Sequence, residues 1–224
     1  MQLVTAGGKD YMAEDNARWP GSETIDRAFL IARQRHAGLS RKTDDTPYIS
    51  HLMAVSALVT EHGGSEVQAA AALLHDVIED TGMTHAQIEA EVGRDVADIV
   101  LQCTDTADRK DKSTMTPEER RADWFDRKRI YLDHLASKPS GTPSLLVVLA
   151  DKTHNGEQTA RDIERCVAEG RDLAEFFANF NAPREDQRWW YSSLLEQLAS
   201  KDWPSTALPL VDRFRRAVGV ITSA

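Results

Sequence analysis

The chain places a histidine and three carboxylates within one short segment, at residues 75–80. His75 and Asp76 are adjacent, and Glu79 and Asp80 follow within one helical turn. At about 100° per residue around a helix axis, Glu79 lies about 40° from His75, and Asp80 lies equally close to Asp76. Imidazole and carboxylate groups bind divalent cations, and a carboxylate near such a cation can deprotonate water. The spacing indicates metal-assisted hydrolysis of a phosphate ester.

The residues before this segment determine where it lies in the protein. The run Ala69–Leu74 is apolar and strongly helix-forming, so it predicts a helix in a packed interior. Ionisable groups set into such a helix need compensation for their lost hydration. A bound cation provides it. Taken alone, however, a His beside carboxylates is usually just a hydrogen-bonded pair, and further ligands are required.

Two further positions qualify as ligands, His51 and Asp151, and each closes an apolar or helix-forming stretch. With His75 and Asp76 they form a set of two nitrogens and two oxygens, which suits Mn²⁺, Fe²⁺ or Zn²⁺. A six-coordinate ion held by four protein ligands keeps two positions for water and a substrate oxygen. A closed structural zinc site would more often use cysteine. We therefore predict a catalytic divalent metal, with Mn²⁺ as the expected ion.

Glu79 and Asp80 are not needed as ligands, so we expect them to orient and deprotonate the attacking water. The alternative is a solvated acidic helix end. The pattern does not distinguish which of the two carboxylates is the principal base.

The order H, HD, D over this spacing resembles the HD superfamily of metal-dependent phosphohydrolases. Three segments make the resemblance closer: residues 41–51, with RK followed by PYISH; residues 72–81, ALLHDVIEDT; and residues 149–155, LADKTHN. Together they resemble the hydrolase domain of RelA/SpoT-type enzymes over residues 22–200. The resemblance implies a stand-alone small alarmone hydrolase that removes the 3′-pyrophosphate of (p)ppGpp, with GDP or GTP and pyrophosphate as products.

The substrate-binding candidates are basic, amide and aromatic side chains near these segments. Arg41 is expected to stack on the purine base, as the matching arginine does in similar enzymes, although a basic loop pair is more often merely solvated. Asn155 lies four residues after Asp151 and so on the same helical face. Arg161 follows a departure from the family pattern, which continues after HN with a hydrophobic residue and arginine. The substrate-binding set is Arg41, Lys42, Lys152, Asn155, Arg161 and Tyr191.

Some nearby residues have a simpler interpretation. Lys152 and His154 flank Asp151 and could bind the 3′-phosphates and ribose, but both are expected to point away from the metal unless the helix ends early. Arg127 and Lys128 could meet the distal phosphates, but a solvated helix face explains them more simply, and Tyr191 serves helix packing as readily as a nucleotide pocket. Cys103 is expected to be a buried packing residue.

Composition excludes several classes of protein. The 224 residues are 41% hydrophobic and 28% charged, which fits one globular domain. A net charge of −9 disfavours nonspecific binding to nucleic acid or to an anionic membrane. The two cysteines give no disulfide framework, and no signal peptide or membrane-spanning run is present. We expect a cytoplasmic protein with a small nucleotide as its partner; no oligomeric state is specified.

The hydrophobic spacing predicts an all-α, compact multi-helix HD-domain bundle over residues 22–224 after an irregular lead-in over residues 1–21. Residues 145–150 suit a buried strand as well as a buried helix, but no partner strand is evident, so a core helix is expected. The predicted helices span 22–37, 48–62, 66–80, 84–92, 94–104, 117–137, the core run at 145–150, 157–168, 171–180, 184–200 and 205–220.

Two rival functions fit the same residues. Another purine nucleotide could be the substrate, since a stacked arginine tolerates either purine; an adenosine alarmone pyrophosphohydrolase and an NADPH 2′-phosphatase are the examples. A non-catalytic nucleotide sensor is the third possibility, against which the intact ligand and base set argues.

Overall fold

The computed structural model describes residues 21–41, 45–105, 114–178 and 182–223. Apart from an isolated antiparallel bridge between Ser40 and Pro47, the regular structure of these ranges is helical, which confirms the all-α class. The helices are α1 (Glu23–Arg35), α2 (Ile49–Glu61), α3 (Glu66–Leu74), α4 (Val77–Thr81), α5 (His85–Val92), α6 (Arg94–Cys103), α7 (Pro117–Ser137), α8 (Ser144–Ala168), α9 (Leu173–Ala178), α10 (Arg184–Ala199) and α11 (Leu208–Ser223).

Short polar side chains begin many of these helices. Ser65, Thr84 and Thr116 each accept a hydrogen bond from the third residue of their helix, whose side chain bonds back to the capping residue. Ser22 accepts from the backbone of Ile25 in the same way at the start of α1. Such caps satisfy backbone N–H groups that lack a partner within the helix, so the local sequence specifies where these four helices start.

Helices α3 and α8 form the centre of the bundle. Every residue from Ala69 to Leu74 is buried, because α3 packs against α1, α2, α6 and α8. The first half of α8 is equally apolar, and the helix contacts α2, α3, α6 and α11. A helix that is apolar on all sides is stable only when other helices surround it. The polar side chains on these two helices are therefore held in a rigid, tightly packed interior.

The predicted helix over 66–80 is wrong in one respect, since it is two helices. α3 ends at Leu74 and α4 begins at Val77, with His75 and Asp76 between them. Adjacent residues of a continuous helix point about 100° apart. The interruption at this junction lets both side chains face the same point.

Two other expectations need correction. Residues 145–168 form a single helix, α8, and no break separates the core run from the stretch predicted over 157–168. The spacing of 117–137 predicts that Trp124, Ile130, Tyr131 and Leu135 point inward from α7; Trp124, Tyr131 and Leu135 are buried, but Ile130 is 50% exposed. The other predicted helices agree with the structure to within a few residues at their ends. All but the last residue of the predicted lead-in lie outside the described residues.

Among the described helices, none has both the length and the apolar character needed to cross a bilayer. Cys103 and Cys166 are free thiols.

Candidate active site

Two imidazoles and two carboxylates meet where α2, α3 and α8 come together. The Nε2 atom of His75 lies 3.1 Å from Asp76 Oδ2 and 3.5 Å from Asp151 Oδ1. The Nε2 atom of His51 lies 3.2 Å from Asp151 Oδ1 and 3.7 Å from Asp76 Oδ2. These are the spacings of neighbouring ligand atoms that share an ion at about 2.0–2.2 Å. The structure thus brings together the four residues that were predicted as ligands.

Each ligand is positioned by the end or the middle of a buried helix. His51 lies in the first turn of α2, where its side chain is fully buried. His75 and Asp76 occupy the α3–α4 junction, and Asp151 extends from the apolar half of α8. Because all three helices are packed against one another, small rotations of any one ligand are resisted by the core.

Hydrogen bonds hold both histidines with Nε2 directed into the cluster. His75 Nδ1 lies 2.8 Å from the Ala72 carbonyl, which only accepts, so Nδ1 carries the proton. His51 Nδ1 lies 2.9 Å from His154 Nδ1. Burial, followed by the effect of His51, lowers the pKa of His154 to about 4, so His154 is neutral and suited to accept the proton of His51. A ligating histidine generally donates its other ring N–H in this way.

His154 was therefore missed as a supporting residue. The expectation that it points away from the metal is wrong, because it lies against His51. Its position three residues after Asp151 on α8 was visible in the sequence, but the distance to α2 was not.

The electrostatics of the cluster favour a positive charge at its centre. Burial alone lowers the pKa of His75, but the charges of Asp76 and Asp151 outweigh it and raise the pKa well above its usual value. Burial lowers the pKa of His51. The Nε2 atoms of both histidines are buried and form no hydrogen bond within the described part of the chain. Two orphaned nitrogens facing two carboxylates fit a divalent cation, which would replace the proton.

The cluster opens into a cavity of about 720 Å³. The cavity is large enough for a nucleotide-sized ligand. Its described lining combines acidic, basic and aromatic side chains with a few apolar ones: Leu39, Ser40, Tyr48, His75, Asp76, Glu79, Asp80, Cys103, Asp105, Trp124, Arg127, Lys128, Tyr131, Val147, Val148, Asp151, Lys152 and Asn155.

One side of the cavity, here called the acidic wall, consists of Asp76, Glu79 and Asp80. Tyr48 donates a hydrogen bond to Asp76 Oδ2 at 2.5 Å. Glu79 Oε1 accepts from the backbone N–H of Asp105 at 2.7 Å, which anchors that carboxylate to the end of α6. Both predicted bases lie at the cavity, on α4, next to the ligand Asp76.

Three cations of the cavity lining, here called the basic wall, are Arg127, Lys128 and Lys152. Arg127 is paired with Asp123 at 3.1 Å, and the Lys128 ammonium lies 4.4 Å from the ring centroid of Trp190. Burial, followed by the charge of Lys152, lowers the pKa of Lys128 to about 8. The interpretation of Arg127 and Lys128 as a solvated helix face is therefore wrong. Both residues lie on the side of α7 that faces the cavity. The sequence of α7 is charged throughout, so it does not indicate which face is turned inward.

Lys152 also differs from expectation, because it does not point away from the site. Its ammonium lies 2.7 Å from Asp151 Oδ2 and 5.1 Å from the Tyr131 ring centroid. Asn155 donates to Asp151 Oδ1 at 2.5 Å and lines the cavity, as predicted from its place one turn later on α8. The Lys152 side chain keeps 21% of its surface exposed.

The family is decided by the extent of the match to known sequences. The model of the HD domain matches residues 28–187, which include every ligand and both walls of the cavity. The chain belongs to the HD domain family.

Curated relatives of this HD domain include two proteins named guanosine-3′,5′-bis(diphosphate) 3′-pyrophosphohydrolase MESH1. The Xenopus tropicalis protein is 37% identical over 146 residues, covering 64% of this chain and 71% of the relative. The Homo sapiens protein is 32% identical over 151 residues, covering 66% and 74%. The bifunctional (p)ppGpp synthase/hydrolase SpoT of Escherichia coli K12 is 34% identical over 65% of this chain but only 18% of its own length.

Solved structures agree with the sequence comparison. A structure described as a metazoan ortholog of SpoT that hydrolyses ppGpp superposes with a TM-score of 0.61 at 25% identity, covering 90% of this chain and 98% of the other. A protein of Listeria monocytogenes EGD-e superposes with a TM-score of 0.58 at 25% identity, covering 79% and 98%. HD domains depend on divalent metal, and the His/Asp cluster of this HD domain is suited to hold one.

The remaining substrate-binding candidates lie at different distances from the cavity. Arg41 donates to Asn155 Oδ1 at 2.7 Å and lies 5.7 Å from the Tyr48 ring centroid, so it contacts two lining residues without being part of the described lining itself. Arg161 is exposed and donates to Gln158 on its own helix. Lys42 lies outside the described residues.

Tyr191 is buried between helices, and its hydroxyl lies 3.2 Å from the hydroxyl of Thr159. The described cavity lining includes neither Tyr191 nor Arg161. The structure therefore does not bring these two candidates to the cavity wall.

Proposed function

We propose that this chain is a Mn²⁺-dependent hydrolase that removes the 3′-pyrophosphate of (p)ppGpp, releasing GDP or GTP and pyrophosphate. The observation that carries the proposal is one cavity whose lining combines the metal-ligand cluster with the acidic wall and the basic wall. Curated relatives of similar domain length carry the name of this activity.

His51, His75, Asp76 and Asp151 are the residues that would hold the ion. When bound there, a divalent cation polarises a phosphate oxygen and lowers the pKa of bound water. A mixed nitrogen and oxygen donor set without cysteine is more typical of a Mn²⁺ site than of a closed structural Zn²⁺ site.

The acidic wall removes the proton of the attacking water. Glu79 and Asp80 both line the cavity on α4, one turn beyond the ligand Asp76. Glu79 has one oxygen occupied by the Asp105 backbone N–H, which fixes its orientation. The water oxygen bonds to the phosphorus attached to the 3′ oxygen, the bond between that phosphorus and the 3′ oxygen breaks, and the 3′ oxygen takes up a proton and leaves as the ribose hydroxyl. A carboxylate within reach of the water makes this step faster by about 10²–10⁴-fold.

The basic wall binds the pyrophosphate group. Arg127, Lys128 and Lys152 line the same cavity as the acidic wall, and cations placed there neutralise the charge that develops on the phosphoryl oxygens. In a chain with a net charge of −9, this local cluster is what allows a polyanionic substrate to bind.

The purine and ribose bind toward the loop that precedes α2. Arg41 is placed to stack on the base, and Asn155 is placed to contact the sugar or the 3′-phosphate, since the two side chains are already hydrogen-bonded at 2.7 Å. Lys42, Arg161 and Tyr191 remain predictions as contacts to the nucleotide. The partner is a small nucleotide and not a nucleic acid or a membrane, and the two free thiols are consistent with action in the cytoplasm.

The test is hydrolysis by metal-stripped protein and by the same protein reloaded with Mn²⁺. Both are incubated with ppGpp, with its adenosine counterpart and with NADPH, and the products are identified by anion-exchange chromatography. We expect Mn²⁺-dependent release of pyrophosphate and GDP from ppGpp. Release from the adenosine compound alone, or of phosphate from NADPH alone, would assign another substrate. No turnover of any nucleotide by folded, metal-loaded protein would identify a sensor.

A further inference from the structure

His36 is a buried histidine outside the metal cluster, at the C-terminal end of α1. Its side chain has no exposed surface. The imidazole stacks on the ring of Tyr48, with the ring centroids 5.3 Å apart and the planes inclined by 15°. The proposed reaction assigns it no role, and its place in the sequence is explained by the apolar spacing of α1 alone.

The two ring nitrogens of His36 differ: Nδ1 has a hydrogen-bond partner, and Nε2 has none within the described residues. Nδ1 lies 3.0 Å from the Ala32 carbonyl, an acceptor, so Nδ1 carries a proton and the ring is anchored to α1. Nε2 is buried and has no hydrogen bond within the described residues. A buried polar atom without a partner is costly, and such an atom in a folded protein calls for an explanation.

The group that Nε2 faces is the carboxylate of Asp80, whose Oδ2 lies 3.9 Å away. This distance exceeds a hydrogen bond, but a small rotation of the half-exposed Asp80 side chain shortens it. Hydrogen bonds of catalytic groups are often long without substrate and shorten in the complex. The geometry therefore provides a contact that is ready to form when Asp80 turns.

We propose that His36 is a positioning residue that holds the Asp80 carboxylate at the attacking water through Nε2. The inference rests on the proposed function, in which Asp80 belongs to the water-activating pair. With a proton on both ring nitrogens, Nε2 donates to the ionised Asp80 carboxylate; with a proton on Nδ1 alone, the Nε2 lone pair accepts from Asp80 once that carboxyl has taken the proton of water. In either form the ring holds one protonation state of Asp80 through a single hydrogen bond, without a change in its own protonation.

The stack with Tyr48 connects this contact to the metal cluster. Tyr48 donates to Asp76 Oδ2, while His36, on the face of the same ring, is directed to Asp80. Asp76 immediately precedes α4, and Asp80 lies one turn later on that helix. Tyr48 contacts the first carboxylate, and His36 faces the second. The α1 helix and the loop before α2 therefore fix the spacing between the ligand and the base.

The experiment compares two substitutions that differ in reach. Asparagine in His36→Asn extends to about the position of Nδ1 and keeps a donor for the Ala32 carbonyl, but nothing reaches Asp80. Glutamine in His36→Gln extends to about the position of Nε2 and offers an amide that can donate or accept. We expect His36→Asn to lower kcat for ppGpp by about 10- to 100-fold with KM nearly unchanged, the effect of losing a hydrogen bond to a charged group. His36→Gln should recover most of that loss, and Mn²⁺ content should be normal in both.

A double-substitution cycle shows whether His36 acts through Asp80. In an Asp80→Asn protein, measured under single-turnover conditions, adding His36→Asn should reduce the rate much less than it does in the wild type. An equal reduction in both backgrounds would overturn the proposal, as would wild-type kcat in His36→Asn. If His36→Asn does not fold, His36→Gln decides: a loss as large as that of Asp80→Asn would contradict it. Wild-type protein inactive on ppGpp would instead refute the proposed function.

Discussion

The acidic wall of the cavity comes from residues 75–80, whereas the basic wall comes from two helices that are distant in sequence. Asp76, Glu79 and Asp80 lie within one turn of each other at the α3–α4 junction, and their spacing is set locally. Lys128 on α7 and Lys152 on α8 meet only because both helices pack around the same cavity. The acidic side is therefore a property of a short segment, and the basic side is a property of the assembled bundle.

This difference separates two kinds of failure. Substitutions in the acidic wall remove the ion or the base, and so they should abolish chemistry while leaving the bundle intact. Substitutions in the basic wall change how strongly the anionic substrate is held in the ground state and in the transition state. The following predictions test that separation, from the largest effect to the smallest.

Asp76→Ala should abolish turnover, because it removes a ligand that faces both histidines of the cluster. The loss of metal should be visible as a fall in bound Mn²⁺ measured by inductively coupled plasma mass spectrometry. Asp126→Asn, on the exposed side of α7, is the matched control and should retain wild-type rate and metal content. Near wild-type hydrolysis by folded Asp76→Ala protein at saturating Mn²⁺ would contradict the assignment of the ligand.

Glu79→Gln and Asp80→Asn should each lower kcat, by about 10²–10⁴-fold for the carboxylate that is the principal base. Neither residue is a proposed ligand, so the Mn²⁺ content should stay normal. The ratio of the two losses tells which carboxylate takes the proton. Loss of metal in either variant would mean that the substituted carboxylate belongs to the ligand set, and the division of roles within the acidic wall would be wrong.

Lys128→Met should lower kcat/KM for ppGpp by about 10- to 100-fold, as expected for losing one charge-assisted contact to phosphate. The methionine keeps most of the packing against Trp190, so the melting temperature should change little. Arg129→Met, which removes an exposed cation from the same helix, is the control for the change in net charge. Equal effects of the two substitutions would show that the basic wall acts through overall charge alone.

The pH dependence gives a second readout of Lys128. Because burial lowers its pKa to about 8, the ammonium is present below that pH and is lost as the pH rises through it. KM for ppGpp in the wild type should therefore rise above about pH 8, and Lys128→Met should flatten that rise. The same rise in the variant would assign it to another group.

Tyr48→Phe should have the smallest effect, about a tenfold loss of Mn²⁺ affinity, since the hydroxyl supports a ligand without contacting the ion. Burial, followed by the charge of Asp76, raises the pKa of Tyr48, so the hydroxyl stays protonated and remains a donor. Titration of the apoprotein with Mn²⁺ measures the change. Affinity equal to the wild type would mean that Asp76 is positioned by the α3–α4 junction alone.

The metal ligands could be predicted from the sequence because their types and contexts are unusual. His75 and Asp76 follow an apolar helix-forming run, and His51 and Asp151 each follow or precede stretches that must be buried. A buried ionisable group needs a partner, so four of them in one chain imply a shared one. The positions of the helices could also be predicted, because capping residues and apolar spacing act within a few residues of each other.

The tertiary structure decided which charged residues turn inward and which helix ends meet. Lys128, on a helix whose charged sequence resembles a solvated face, lies in the cavity, whereas Arg161, a candidate contact, remains on the surface. The pairing of His51 with His154 and the approach of His36 to Asp80 join residues of different helices. The reason is that the two properties depend on interactions of different range. Local spacing specifies a residue's own helix, but the direction of a long side chain depends on the neighbouring helices that surround it.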